Sequence, residues 1–209
     1  MSKKKIIAID IDDTIVASRE GIINIANKMA NANLGSEDYD VPGEYWSYYT
    51  KIWEQHGLNN LVPEEVYVEL HQMQSSVPLL PGAEFAIKLL EDNFDIVLIT
   101  ARDPKWEKLT SEWLKKEFGD FAPRLYFSEA HLGKDGAKTK GQICKDLGAL
   151  WLIDDNAEHC RSVIEEGLTE ILFGEYGWHI EIPQGVVRCK DWQAVLNYFD
   201  KMKIYGNRT

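Results

Sequence analysis

Three apolar runs in this sequence end in residues that can do chemistry. Lys5-Ile6-Ile7-Ala8-Ile9 runs into Asp10-Ile11-Asp12-Asp13-Thr14-Ile15, residues 95–99 run into Thr100-Ala101-Arg102, and residues 150–153 run into Asp154-Asp155-Asn156. If the runs are neighbouring strands of an open α/β sheet, their ends share one edge, where such sheets bind ligands. Carboxylates gathered there repel each other by about 4 kcal/mol per pair at 4 Å and an effective dielectric of 20. A cation among them removes that cost, and an all-oxygen ligand set suits Mg²⁺, which takes a few carboxylates, water and a substrate phosphate. Asp10 and Asp12 lie two residues apart, on the same side of an extended chain.

The elements that must position these residues are legible as an alternation. Besides the three runs, residues 125–127 and 170–173 read as short buried strands. Amphipathic segments with cap signals lie between them. Asp103-Pro104 opens a helix with Trp106, Leu109 and Trp113 on one face. Thr139 caps one carrying Ile143 and Leu147, and Asn156 caps one carrying Cys160, Val163 and Ile164 that Gly167 ends. Asp191 precedes a last one with Trp192, Val195, Leu196 and Phe199. This order predicts an α/β, Rossmann-like parallel sheet flanked by helices. About sixty residues after the first strand break the rhythm, too many for a loop. Helices are expected over residues 19–32, with Ile22, Ala26 and Met29 on one face, and after Pro63, with Val66, Leu70 and Met73. The division expected is a core of residues 1–16 and 79–209 and a small all-helical cap of residues 17–78, with residues 78–82 as the return hinge.

Composition narrows the partners. The chain has 209 residues, 44% hydrophobic and 27% charged, as in a soluble globular protein, with a net charge of −11. That balance disfavours long nucleic acids and anionic membranes, which are gripped by surplus Lys and Arg. Cys144, Cys160 and Cys189 show no metal or disulfide spacing, so free thiols and a reducing, cytoplasmic setting are expected. The basic start, Met1 to Lys5, precedes too short an apolar run for a signal peptide, and no stretch approaches a membrane span. The five histidines lack ligand spacing and read as surface or interface residues. A monomer or homodimer is expected.

Taken together, Asp10-x-Asp12-Asp13-Thr14-Ile15, then Thr100, then a lysine, then Asp154-Asp155 resembles the four-part signature of the haloacid dehalogenase superfamily phosphatases, in the family's order and spanning residues 10–155. The helical insertion after the first motif is similar to the small cap of that superfamily. The Asp-Asp form of the last motif resembles the 5′(3′)-deoxyribonucleotidase-like branch, as does the tail: residues 171–173, a Gly/Trp/His loop, then Asp191-Trp192. The resemblance implies a Mg²⁺-dependent phosphomonoester hydrolase. Asp10 is then the nucleophile that forms an aspartyl-phosphate, and Asp12 the general acid and base. Thr100 and the backbone N–H at Ala101 bind the phosphoryl group. Metal ligands are Asp10, Asp155 and Asp12, the last through its backbone carbonyl, with Asp154 in support; the reverse order of Asp154 and Asp155 stays open. Asp13 orients the loop. Lys134, Lys138 and Lys140 all lie in the region of the phosphate-binding lysine, with Lys140 the choice and Lys138 the reserve.

Each residue also has a plainer reading. An Asp-x-Asp is often a turn or cap, Asp154-Asp155 suits a helix start, and Thr100 alone means nothing. Tyr39, Tyr45, Trp46, Tyr48, Tyr49 and Trp53 either stack on a nucleobase or build the core that a small helical domain needs; core is the expectation for most, with Trp46 and Tyr49 as substrate candidates. Arg19 and Arg102 are placed to meet a second anionic group or to form ordinary salt bridges. The substrate expected is a nucleotide or similar small phosphomonoester. The alternatives are a polynucleotide end (3′) phosphatase, which the net charge disfavours, a non-catalytic binding module with the same fold, which the presence of all four motifs disfavours, and a phosphotransferase.

Overall fold

The computed structural model describes residues 3–206. Six strands form one parallel sheet in the order β3-β2-β1-β4-β5-β6: β1 (Lys5–Ile9), β2 (Phe94–Thr100), β3 (Arg124–Phe127), β4 (Ala149–Asp154), β5 (Thr169–Phe173) and β6 (Val187–Cys189). The central strands are largely apolar because both faces are covered. On one face Ile7, Ile9, Ile96, Leu98, Trp151, Ile153, Ile171 and Phe173 pack in the main core. On the other, Ile6, Ala8, Val97, Ile99 and Leu152 meet Cys144 and Val163. The chain winds outward from β1 to β2 and β3, then returns to place β4 against β1. The topological switch therefore falls between β1 and β4, where a crevice opens beyond the strand ends.

Around the sheet lie α1 (Ser18–Ala30), α2 (Tyr48–Gln55), α3 (Pro63–Gln72), α4 (Ala83–Glu91), α5 (Glu107–Phe118), α6 (Lys140–Leu147), α7 (Ala157–Glu165) and α8 (Trp192–Gly206). The expected caps of α6 and α7 form: Thr139 Oγ1 accepts from the Gln142 N–H at 3.2 Å, and Asn156 Oδ1 from that of Glu158 at 2.8 Å. One face differs from expectation. Pro104–Trp106 is a 3₁₀ turn and α5 starts after it. The tighter turn shifts the phase, so Thr110, Trp113, Leu114 and Phe118 face inward while Leu109 is exposed. Strand β6 and helix α2 carry no pattern that predicted them.

The segment between β1 and β2 is helical up to α4, and its ends run side by side. The Ala17 N–H donates to the Pro78 carbonyl at 2.9 Å, and the Leu80 N–H to that of Ile15 at 2.8 Å. The insertion centres on a second core, of Ile22, Ile25 and Ala26 of α1, Tyr39, Ile52 and Trp53, and Val66 and Leu70 of α3, which Trp178 from beyond β5 joins. Met29 and Met73, expected on those faces, are exposed. Most of the aromatic cluster serves this core, as Tyr39, Tyr48 and Trp53 are buried; Trp46 is 57% exposed. Among the described residues, no helix is long and apolar enough to cross a membrane.

Candidate active site

Asp10 leaves β1 with its N–H bonded to the Ile153 carbonyl of β4 at 2.9 Å, which seats it at the switch point. Beside it, the end of β4 delivers Asp154 and Asp155. All three are buried, and one oxygen from each lies within 4.8 Å of the others. Lys140 is the first residue of α6 and only 1% exposed. Its Nζ lies 2.6 Å from Asp10 and 2.7 Å from Asp154. The capping box at Thr139 fixes where α6 starts, and Gly141 lets it close on α7: a Cβ there would collide with the Ser162 carbonyl. Lys138 and Lys134 are exposed and paired with Asp146 and Glu129, so Lys140 is the lysine at the carboxylates.

One ammonium thus serves three carboxylates, and it is not shared evenly. Asp154 takes most of it, accepting from Lys140 Nζ, from the Asn156 N–H at 2.9 Å and from His159 Nδ1 at 3.1 Å. Burial pushes Asp154 up, but Lys140 and His159 outweigh it and hold the carboxyl below the usual range. Asp10 has only an ion pair, whose oxygen lacks an aligned hydrogen bond. Burial and the neighbouring Asp154 and Asp12 outweigh Lys140 and raise Asp10 to about 7. Asp155 accepts from the Trp178 indole N–H at 3.0 Å; burial, then Asp154 and Asp10, push it well up. Lys140 is pushed down by burial but up, with larger effect, by Asp10 and Asp154.

Asp12 is turned elsewhere. Arg102 Nε and Nη2 both donate to its carboxylate at 2.7 Å, and the Ser18 hydroxyl adds a third bond at 2.5 Å. Burial opposes ionisation, but Arg102 prevails and holds Asp12 well below the usual carboxylate range. Its carboxylate lies outside the cluster of three. The remaining Arg102 donors go to Gln74 and Thr110 at 2.7 and 3.3 Å. Arg102 is therefore a buried anchor of Asp12: of the two readings open for it, the structure shows the salt bridge, buried rather than at the surface. Arg19 is likewise engaged, donating to Asp40 at 2.6 Å and the Ser36 carbonyl at 2.8 Å. Thr100 is buried at the end of β2, its hydroxyl accepting from the Arg102 N–H at 3.2 Å; that N–H and the one at Ala101 lie just beyond the strand end. Asp13 adopts φ 52°, a left-handed turn that Asp tolerates, and its carboxylate accepts from the Arg19 N–H at 2.7 Å.

Next to Lys140 lies a cavity of about 430 Å³ lined by Trp46, Ser128, His131, Lys140, Glu158 and His159. Trp46 reaches it from the insertion, donating to Glu158 at 2.7 Å and lying 5.8 Å from the His131 ring at an interplanar angle of 11°. Tyr49 packs on the insertion core, and its hydroxyl has no hydrogen-bond partner among the described residues. Three site neighbours escaped sequence reasoning. His159 and His179 are bonded to Asp154 and to the Asp155 carbonyl, and Trp178 is bonded to Asp155. Reading histidines as surface groups missed them, because i+5 spacing from an acid or a return from a distant loop leaves no local pattern. All three cysteines are free and buried.

No protein-family profile and no curated protein matches the sequence. Several solved structures are similar. A conserved haloacid dehalogenase-like protein of unknown function from Agrobacterium tumefaciens is 15% identical over 96% of this chain and 99% of its own, with a TM-score of 0.66. A haloacid dehalogenase-type hydrolase from Bacillus subtilis, bound to magnesium, is 12% identical over 95% and 100%, with a TM-score of 0.62. A structure described as a predicted phosphoglycolate phosphatase from Haemophilus somnus is 14% identical over 95% and 99%, with a TM-score of 0.61. With its six-stranded parallel sheet, its switch point at Asp10 and these neighbours, the chain has the haloacid dehalogenase-like fold.

Proposed function

We propose that the protein is a Mg²⁺-dependent phosphomonoester hydrolase working through an aspartyl-phosphate on Asp10. The observation that carries this reading is the charge imbalance at the switch point: three buried carboxylates against one ammonium. The donors are all oxygen and Asp10 has an oxygen without an aligned partner, so the residues fit a divalent cation. Asp10, Asp155 and the Asp12 carbonyl would hold it, while Asp154, occupied by Lys140 and His159, fixes the lysine. Bound there, the ion would supply positive charge to the phosphoryl oxygens. The magnesium-bound hydrolase and the predicted phosphatase among the fold neighbours support this reading.

In the first step an Asp10 oxygen bonds to phosphorus as the bond from phosphorus to the leaving oxygen breaks. Lys140, the Thr100 hydroxyl and the N–H groups after β2 hold the transferring group. In the second, water attacks phosphorus and frees Asp10, with Asp12 taking the water's proton. Arg102 keeps Asp12 ionised, which suits this second step. Protonating the leaving oxygen in the first step requires Asp12 to hold a proton against that guanidinium. The leaving group, a nucleotide or other small phosphorylated metabolite, extends from Lys140 into the cavity beneath Trp46.

The test is a phosphomonoester panel with Mg²⁺, with chelator, and with Asp10→Asn. Hydrolysis that needs Mg²⁺ and falls by about 10³-fold or more in the variant supports the proposal; equal rates for variant and wild type overturn it. Turnover confined to oligonucleotide ends and steeply weakened by salt would shift the substrate to polynucleotides.

A further inference from the structure

The loop between β5 and β6 is joined both to the site and to the core of the helical insertion. Trp178 is buried in the insertion's hydrophobic core although it comes from the far end of the chain. Its ring stacks on Tyr176, with centroids 4.5 Å apart and an interplanar angle of 7°, and meets Tyr45 and Tyr48 edge-on at 5.8 and 5.1 Å. The backbone is close as well: the Gly43 N–H donates to the Gly177 carbonyl at 3.1 Å, and a Cβ on Gly177 would collide with the Tyr48 hydroxyl and the Val41 carbonyl. From this position the loop reaches two motif acids. The Trp178 indole N–H is shared between Asp155 Oδ2 at 3.0 Å and the Asp155 carbonyl at 3.1 Å, His179 Nε2 donates to that same carbonyl at 2.6 Å, and the Tyr176 hydroxyl donates to the Asp13 carbonyl at 2.7 Å.

We propose that Trp178 is a positioning residue: its indole N–H sets the Asp155 carboxylate for the divalent cation, and the insertion's aromatic core sets the indole. This rests on the function proposed above. Asp155 has Asp10 and Asp154 beside it, while Lys140 is committed to those two. Without a restraint, repulsion swings a carboxylate out of such a cluster. A neutral N–H restrains the carboxylate through Oδ2, and unlike a lysine it would bring no charge to compete with the ion. Tyr176 covers one ring face, and Tyr45 and Tyr48 press the ring from the insertion, so the N–H keeps one direction. Partners of this kind, behind the direct ligands, typically change metal affinity 10–100-fold.

Two measurements on the full-length, metal-free protein test this. The first is Mn²⁺ binding followed by EPR for wild type, Trp178→Phe and Asp155→Asn. Trp178→Phe keeps a ring in the core and deletes the N–H. We expect a Kd for Mn²⁺ raised at least 10-fold, with unchanged far-UV circular dichroism, and a matching rise in the Mg²⁺ concentration for half-maximal hydrolysis while kcat at saturating Mg²⁺ stays within about threefold. If Trp178→Phe binds Mn²⁺ like wild type while Asp155→Asn does not, the positioning role is overturned and the metal site stands. If Asp155→Asn also binds like wild type, the function proposed above fails instead. The second measurement needs no variant and decides the matter should Trp178→Phe not fold. Among the indole N–H resonances of the seven tryptophans, that of Trp178 should move most on Mg²⁺ titration, and an unmoved Trp178 resonance overturns the proposal.

Discussion

Asp10 and Asp12 leave the same strand two residues apart and meet opposite surroundings. On the β4 side, Asp10 shares one lysine with Asp154 and stands beside Asp155, and its pKa rises to about 7. On the β2 side, Asp12 has a guanidinium to itself, gripped through two nitrogens, and its pKa falls. The first region is short of positive charge and the second is balanced. Buried charge deficits are costly, so the deficit is what the proposed cation would relieve, and the balanced pair keeps its acid ionised. The comparison also assigns the two arginines that follow the motifs: Arg102 completes the balanced side, and Arg19 ties the insertion to itself through Asp40 and Ser36.

The contrast predicts different responses to magnesium. Lys140→Met removes the ammonium paired with Asp10 and Asp154 and should cost about 3–5 kcal/mol in urea unfolding, as for other broken buried pairs. An ion bound only to the folded state adds about 2.7 kcal/mol at 100 times its Kd to any form that binds it; Lys140→Met should gain more than wild type does, because the ion then also replaces the missing ammonium. Arg102→Leu should cost less, about 1–3 kcal/mol, because Asp12 is only half-buried, and Mg²⁺ should recover none of the Asp12–Arg102 contribution. Equal recovery in both variants would erase the distinction between the two regions. Thr139→Ala opens the cap that places Lys140 at the start of α6, and should cost about 1 kcal/mol with weaker hydrolysis at limiting substrate.

The smallest effect concerns Glu170 of β5, a buried carboxyl that among the described residues has the weakly donating Cys160 thiol beside it and no aligned hydrogen bond to either oxygen. Burial, then the charge of Asp154, push its pKa well up. An acid whose folded pKa is raised holds its proton longer when folded, so its contribution is full below the unfolded value near 4.3 and is lost as the pH rises toward the folded one. Glu170→Gln should remove that loss, and its melting temperature relative to wild type should climb with pH. A flat difference from pH 5 to 9 would contradict the assignment.

How much of this was legible in the sequence follows from how local each signal is. Asp10, Thr100 and Asp154-Asp155 stand out because each ends a short apolar run, and buried parallel strands leave that trace in four or five residues. Lys140 is legible through Thr139-x-x-Gln142, a capping box that fixes the start of α6. The face of α5 was displaced by a 3₁₀ turn that Asp103-Pro104 does not distinguish from a helix start. Three-residue β6 is too short for a period. The partners of the site acids were hidden more deeply: Arg102 clamps an acid 90 positions earlier, and Trp178 reaches Asp155 from 23 positions later while lying in the core of a segment more than a hundred residues upstream. Such contacts exist only once the sheet is assembled.

The central claim, that Asp10 carries the phosphoryl group, is tested most directly by acid-quenching the enzyme during turnover of a ³²P-labelled phosphomonoester with Mg²⁺. The account predicts label on the peptide containing Asp10, released by hydroxylamine as an acyl phosphate is, and lost in Asp10→Asn. Turnover without protein-bound label at any quench time, or label that persists in Asp10→Asn, would contradict it.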